Sequence, residues 1–178
     1  MLSSPAELGT KRLQLRRPVV EDAQAIFEEY AADPEVTRYL TWAPHRSVES
    51  VSAFLESQIE RSRAGKWFSW LITQQPAGRP IGDVGGRIQG HAIQIGYVLA
   101  REYWNRGYMS EAISKVAEWA LAQPEVFRIW AVCDTENIAS ARMLEKSGFE
   151  REGLLRRWVV LPNRSSEPRD CYVYGRVR

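Results

Sequence analysis

The sequence of 178 residues predicts an α/β (α+β) fold in one domain, residues 1–178 with a core from about residue 10, built of about seven strands flanked by about four helices. Three observations predict it. Runs that alternate apolar and polar residues are interleaved with amphipathic runs of helical period. Clusters of Gly, Pro, Asn and Asp separate the two kinds. The chain is also long enough to bury a sheet between helical layers without help from metals or disulfides. No repeat, linker or low-complexity tract interrupts the pattern.

The first strand is "RLQLRRP", in which Leu13 and Leu15 alternate with polar neighbours until Pro18. "VEDAQAIFEEYAAD" follows as an amphipathic helix, with Ala23, Ile26, Phe27 and Tyr30 three and four apart and acids in the first turn. Asp33 and Pro34 then open a short helical turn, "DPEVTRYL". Beyond the loop "TWAPHR", Ser47 caps a long helix whose Val51, Phe54, Leu55 and Ile59 share a face, ending near Gly65. "KWFSWLITQ" is the next strand, with Trp67, Ser69 and Leu71 on one face and Phe68, Trp70 and Ile72 on the other. Its neighbours "QPAGRP" and "GDVGGRIQGH" are turn-rich, which gives three strands joined by two tight connections, with "AIQIGYVLA" the third of them. A helix, "SEAISKVAEWALA", lines up Ala112, Ile113, Val116, Ala117, Ala120 and Leu121 on one face. The strand "VFRIWAVCD", the helix "NIASARMLEKSG" stopped by Gly148, and the strands "LLRRWVV" and "RDCYVYGRVR" complete the order.

Lysine and arginine total 24 against 22 acidic residues, a net charge of +2, which excludes the basic excess of a dedicated nucleic-acid binder, so no DNA partner is expected. Cys133 and Cys171 lie in apolar, β-branched surroundings that suit buried thiols in a reducing compartment. The N-terminal "MLSSPAELGTKR" lacks the basic flank and apolar core of a signal peptide, and no apolar run approaches the ~18 residues of a membrane span. A cytoplasmic location without membrane attachment is therefore expected. His45 and His91 stand alone, with no second ligand at metal spacing, so no metal is expected. The glycines of "IGDVGGRIQG" open no helix and read as a bulge or hairpin rather than a dinucleotide loop. Arg151, Arg156, Arg157, Arg164 and Arg169 read as a solvated face, with RNA or an acidic peptide as the competing partner.

The stretch "EYWNRGYMSEA", Glu102 to Ala112, places a glycine between a strand and a helix start. Such a junction leaves backbone N–H groups and the positive end of the helix dipole free for an anion. Gly107 would let that anion approach the backbone, and Arg106 adds positive charge. After the next strand comes "CDTENIASARMLEKSGFEREG". Together the two segments resemble the two core motifs of the GNAT superfamily of N-acetyltransferases, in the branch of the bacterial ribosomal-protein N-terminal acetyltransferases. The matching residues are Tyr103, Trp104, Gly107, Tyr108, Glu111 and Ala112, then Asn137, Ser140, Lys146, Gly148, Phe149, Glu152 and Gly153.

The resemblance implies a central mixed, twisted sheet that splays open beside the strand ending at Leu99, with acetyl-coenzyme A in the gap. Asn105, Arg106, Gly107, Tyr108, Met109 and Ser110 would bind the pyrophosphate, backbone groups of Val98 and Leu99 the pantetheine arm and the oxyanion, and Asn137 the pantetheine as well. Trp104 and Met109 depart from the general superfamily loop, and Asn105 stands where the branch more often has glycine. Asn tolerates the left-handed conformation such a position can demand.

Acetyl transfer from a thioester to an amine needs a neutral amine, a stabilised oxyanion and a proton for the departing sulfur. The helix after the second motif has no tyrosine to give that proton, and Ser140 is its remaining hydroxyl. The resemblance assigns Ser140 that catalytic role, with a plain packed serine as the alternative, as a helix N-cap is for Asn137. Asp83, Asp134 or water is left as the general base. An α-amine, with a reference pKa of about 7.7 to 8.0 against about 10.4 for lysine, needs least help. Trp42 is the expected acceptor contact; Trp67, Trp70 and Trp158 read as core aromatics. The function expected is acetyl transfer from acetyl-coenzyme A, directly through a tetrahedral intermediate, to a primary amine: the N-terminal α-amine of a protein, or a small amine. A sensor or scaffold of the same fold that binds acetyl-coenzyme A with little turnover is the competing reading, and a homodimer stays open.

Overall fold

In the computed structural model, which describes residues 4–65, 67–76 and 78–178, one sheet holds eight strands. In chain order they are β1 (Glu7–Gly9), β2 (Leu13–Arg16), β3 (Trp67–Gln74), β4 (Pro80–Gln89), β5 (Ala92–Leu99), β6 (Arg128–Asp134), β7 (Glu150–Val159) and β8 (Arg169–Val177). Across the sheet the order is β1-β2-β3-β4-β5-β6-β8-β7. Every pair is antiparallel except β5 with β6, which are parallel and joined by a crossover through helix α4 (Tyr108–Leu121). The other helices are α1 (Ala23–Ile26), α2 (Pro34–Thr37), α3 (Val48–Arg63) and α5 (Ile138–Lys146).

The count exceeds the expected seven strands by β1, three residues with no alternation of their own. Pairing supplies what propensity lacks: Glu7, Leu8 and Gly9 register against Arg16, Leu15 and Gln14 of β2. Strand β7 also starts earlier than "LLRRWVV", at Glu150. The helix expected over residues 20–33 is a composite, a 3-10 turn at Val20–Asp22, α1, and a π turn at Phe27–Ala31. The wider turn buries the consecutive pair Tyr30 and Ala31 together, and the Ala31 carbonyl accepts from the His45 amide at 2.9 Å. The strand written as "KWFSWLITQ" starts at Trp67, since Lys66 lies outside the described residues.

Two apolar layers sandwich the sheet. On one face Ala23, Ile26, Tyr30, Val36, Val51 and Leu55 of the helical side close on Leu71 and Ala100. On the other, Ala112, Ile113, Val116, Ala117 and Ala120 of α4 pack against Phe68, Trp70 and Ile72, as the period of each run demands. Trp119 meets the Phe68 and Trp70 rings edge-on at 5.2 and 5.0 Å. The "IGDVGGRIQG" stretch is β4 entering a hairpin at Gly90, where the backbone turns through φ +60. Gly86 of that strand is obligatory for a packing reason: a Cβ there would overlap the Phe68 ring. Trp158 is 53% exposed at the edge of the sheet, contrary to a core assignment, because β7 has a neighbour on one side only.

Replacing Gly86 by Ala should therefore cost about 1–3 kcal/mol through overpacking, read as a lower urea midpoint at unchanged m value. A midpoint equal to the parent's would show that Phe68 moves aside freely.

Candidate active site

The cleft begins where the sheet parts. Strands β5 and β6 pair at Ala92–Arg128, Ile93–Ile129 and Gln94–Trp130, and no further. Past Gln94, β5 keeps β4 on one side while its other edge faces open space. Parity identifies which groups stay free. The Ala100 amide donates to the Ile81 carbonyl at 2.8 Å, so Val98 and Ala100 point their backbone groups at β4. Tyr97 and Leu99 consequently point theirs into the gap. The Leu99 carbonyl is already engaged there, accepting from Trp104 Nε1 at 2.7 Å, which leaves the Leu99 N–H as a donor facing the cleft.

Leu99 leads into the loop before α4. Asn105 adopts φ +60 and Gly107 φ +75, two left-handed residues that turn the chain sharply into the helix start. The first of these is the conformation the sequence allowed for Asn. At Gly107 a Cβ would meet only Arg12 Nη2, at 3.5 Å, so the demand on glycine is conformational more than steric. A clamp from the far edge of the sheet holds the turn. Glu111 accepts from Thr10 Oγ1 at 2.6 Å, from the Arg12 amide at 3.0 Å and from Arg12 Nε at 2.7 Å. Arg12 Nη1 donates to the Arg106 carbonyl at 3.0 Å, and its guanidinium lies over the Tyr108 ring at 4.5 Å. Burial raises the Glu111 carboxyl, but the bonds from Thr10 and Arg12 outweigh it and hold the group below its usual range.

Helix α5 faces this loop across the gap. Asn137 caps it, its side-chain oxygen accepting from the Ser140 amide at 3.2 Å, which leaves the side-chain NH2 available to the cleft. The Ser140 hydroxyl lies 2.6 Å from the Tyr97 hydroxyl. Burial pushes the Tyr97 phenol well above its ordinary value despite that bond, so it stays protonated. The same burial pushes the neighbouring Cys133 thiol up to about 11, and Cys171 likewise to about 11; both cysteines are free.

On the opposite face of β5 the cleft continues beneath α1, α2 and α3. Here the two candidate bases part company. Burial raises Asp134, but Arg169 Nε at 2.5 Å, the Glu136 amide and the nearby Arg164 outweigh it and hold it ionised, a poor proton acceptor. The expected arginine face is partly consumed by this network, since Arg164 and Arg169 also pair with Glu136. Among the described residues no cation lies within 4.0 Å of Asp83. Burial pushes its carboxyl up to about 7 against a single opposing bond from Ser69 Oγ at 2.5 Å. A carboxyl poised near neutrality at the bottom of a cleft is suited to proton abstraction.

The whole space measures about 1220 Å3. Trp42, Val98, Leu99, Asn105, Gly107, Tyr108, Met109, Ser110, Asn137 and Ser140 all line it. Arg106 does not: its side chain is exposed, 5.9 Å from the Tyr103 ring. Sequence reasoning missed Tyr97 and Arg12, whose partners are 43 and 99 residues away, and it read Trp67, which lines the cleft, as core. No local signal marks such contacts. Among the described residues no cluster of His, Cys, Asp or Glu is placed to hold a metal, and no helix is long and apolar enough to cross a membrane.

Comparison with known proteins agrees with this geometry. The acetyltransferase (GNAT) domain model matches residues 12–150. The chain belongs to the GNAT acetyltransferase family. As such it is an acetyl-coenzyme A-dependent N-acetyltransferase, and the free β5 edge and glycine turn fit that co-substrate. It is 34% identical over 174 residues to the uncharacterized N-acetyltransferase YoaA of Bacillus subtilis, covering 96% of each chain. The crystal structure of a GNAT-family acetyltransferase from Bacillus anthracis superimposes with a TM-score of 0.83 at 25% identity, over 96% of this chain and 98% of that one. RimL, a ribosomal α-N-protein acetyltransferase in complex with coenzyme A, shares the fold with a TM-score of 0.84 at 21% identity, over 97% of this chain and 96% of that one.

Substituting Gly107 by Val puts a branched side chain at φ +75 and should weaken acetyl-coenzyme A binding about tenfold or more. Calorimetric affinity equal to the parent's would remove this turn from the binding site.

Proposed function

We propose that this N-acetyltransferase acetylates an α-amine, that of a protein N-terminus or of a small molecule, with Asp83 as base and Ser140 as acid. The observation that carries the reading is the cleft open on both faces of β5, with Ser140 on one side and Asp83 on the other. Acetyl-coenzyme A supplies an acyl group already activated as a thioester. The Leu99 N–H is aimed to polarise the acyl oxygen. Asp83 takes a proton from the acceptor amine, and Ser140 delivers one to the departing sulfur. The Tyr97 and Ser140 hydroxyls are 2.6 Å apart, and with Tyr97 as the donor of that bond the serine proton is left for the cleft. A base near 7 matches an α-amine of about 7.7 to 8.0 better than a lysine of about 10.4. RimL, named for α-N-protein acetylation, shares the fold and supports a protein N-terminus as one acceptor class.

Release of free thiol from acetyl-coenzyme A by the purified protein tests this directly, with N-terminal peptides, lysine peptides, polyamines and amino acids as acceptors. Peptide or amino-acid α-amines should give the faster rates; an exclusive preference for lysine side chains would overturn the α-amine assignment. With an α-amine acceptor, kcat/KM should climb as pH rises through 7, because the Asp83 carboxyl, raised by burial, becomes a base only above that value. Asp83→Asn should move that limb up to the acceptor amine's own range of about 7.7 to 8.0 and lose about a hundredfold in rate.

Ser140→Ala should lower kcat about a hundredfold while leaving the acetyl-coenzyme A dissociation constant within about twofold. An unaltered kcat would transfer the acid role to water or to Tyr97.

A further inference from the structure

Beneath α3 the floor of the cleft is a ladder of three cross-strand rows. Trp67, Arg87 and Gln94 form one row, Ser69, Gly85 and Gly96 the next, and Leu71, Asp83 and Val98 the last. The middle row is open at one end only, since Ser69 is buried against Asp83. Trp67 covers Gly85, whereas a Cβ at Gly96 would meet nothing within 4 Å. The opening over Gly96 makes a groove beside Trp67 that leads from Asp83 toward Arg87, four residues on along β4, or roughly 13 Å. Phe54, Gln58 and Arg61 of α3 roof it, and all three line the cleft.

The charges at the two ends differ in kind. Asp83 closes the inner end. At the outer end Arg61 lies over the Trp67 ring at 4.6 Å, while Arg87 stands opposite Trp67 in the β3–β4 register. Trp67 is itself fixed by donating to Gln58 Oε1 at 2.8 Å. Among the described residues neither guanidinium has a carboxylate within 4.0 Å, whereas Arg12, Arg16, Arg79, Arg128, Arg164 and Arg169 all do. Arg61 and Arg87 thus flank one ring at the mouth of a groove, both without an internal counter-ion. Such a pair attracts anions and repels a cationic acceptor.

Resting on the acetyltransferase reading above, we infer that the acceptor is an amine carrying a carboxylate or phosphate that docks between Arg61 and Arg87 while its nitrogen reaches Asp83. Allowing for the reach of an arginine side chain, nitrogen and anion are separated by roughly 6–13 Å, the span of two to four extended residues. Acidity at the second to fourth position of a peptide meets this requirement, as does the terminal carboxylate of a short peptide. Polyamines and lysine-rich segments do not.

The test uses acceptors matched in everything but charge: Ala-Ala-Asp-amide, Ala-Ala-Asn-amide, Ala-Ala-Lys-amide and Ala-Ala-phosphoserine-amide, with triglycine against its amide. Thiol release gives kcat/KM, and calorimetry with coenzyme A present gives binding. The acidic member should exceed its neutral twin about tenfold or more, the lysine peptide should fall below both, and the ratio should shrink in high salt. The aspartate and phosphoserine arms tell which anion is preferred. In Arg61→Gln and Arg87→Gln the ratio should collapse toward one at unchanged acetyl-coenzyme A affinity. Gly96→Val, which has room in the fold, should raise the acceptor KM by blocking the groove. Equal rates for charged and neutral twins, or a ratio that survives both arginine substitutions, would overturn the inference while leaving the acetyltransferase reading intact. Acetylation of polyamines or lysine peptides in preference to every anionic acceptor would do the same. No thiol release with any amine, and no binding of any peptide, would remove both.

Discussion

Everything at the candidate site follows from the separation of β5 and β6 after three paired positions. A sheet that stayed closed there would pair the backbone of Tyr97 and Leu99 and leave no opening between the faces. Separation costs two strands their mutual hydrogen bonds, and such groups are tolerated unpaired only where water or a ligand can reach them. The cleft provides that access. The parallel relation of β5 and β6 matters as well, because a parallel pair requires a crossover, and this one is α4. The start of α4 then lies at the same end of the sheet as the opening, as does the start of α5. Unpaired N–H groups from the strand edge and from the start of α4 converge on one space with the Asn137 cap of α5.

Rigidity around that space comes from long-range polar contacts. Thr10 and Arg12 hold Glu111 and the Arg106 carbonyl, tying the turn before α4 to the second strand. Tyr97 reaches across the gap to Ser140. Trp104 pins the Leu99 carbonyl, and Asn163 donates to the Thr37 and Trp42 carbonyls, holding the loop after α2. Two carboxylates of the same sheet are separated by the same logic into opposite states, Asp134 held ionised by Arg169 and its neighbours, Asp83 left to desolvation.

Local signals in the sequence located much of this. Alternation separated Trp67, Ser69 and Leu71 from Phe68, Trp70 and Ile72: Trp67 and Leu71 line the cleft, Ser69 between them bonds Asp83, and the second three pack under α4. Periodicity found the buried face of α4, because one helix face and one core are enough to specify it. It failed at Phe27–Ala31, where tertiary packing buries two consecutive residues and the helix widens to do so. It failed also at β1, which exists only because β2 is beside it, and at Trp158, whose strand lies at an edge that no pattern of residues announces.

The sequence by itself determined the turn and the helix starts. Asn105 and Gly107 suit left-handed backbone, Asn137 suits a helix cap, and these are properties of a few neighbouring residues. Tertiary structure decided what those pieces meet. That Ser140 has Tyr97 for a partner, that Arg12 holds the turn, that among the described residues Asp83 has no cation beside it while Asp134 has Arg169, and that Arg61 and Arg87 flank one tryptophan all depend on strand order and register. Burial and counter-charge are set by residues far apart in the chain, so the same aspartate is a base or an ion-pair partner according to which strand lies beside it.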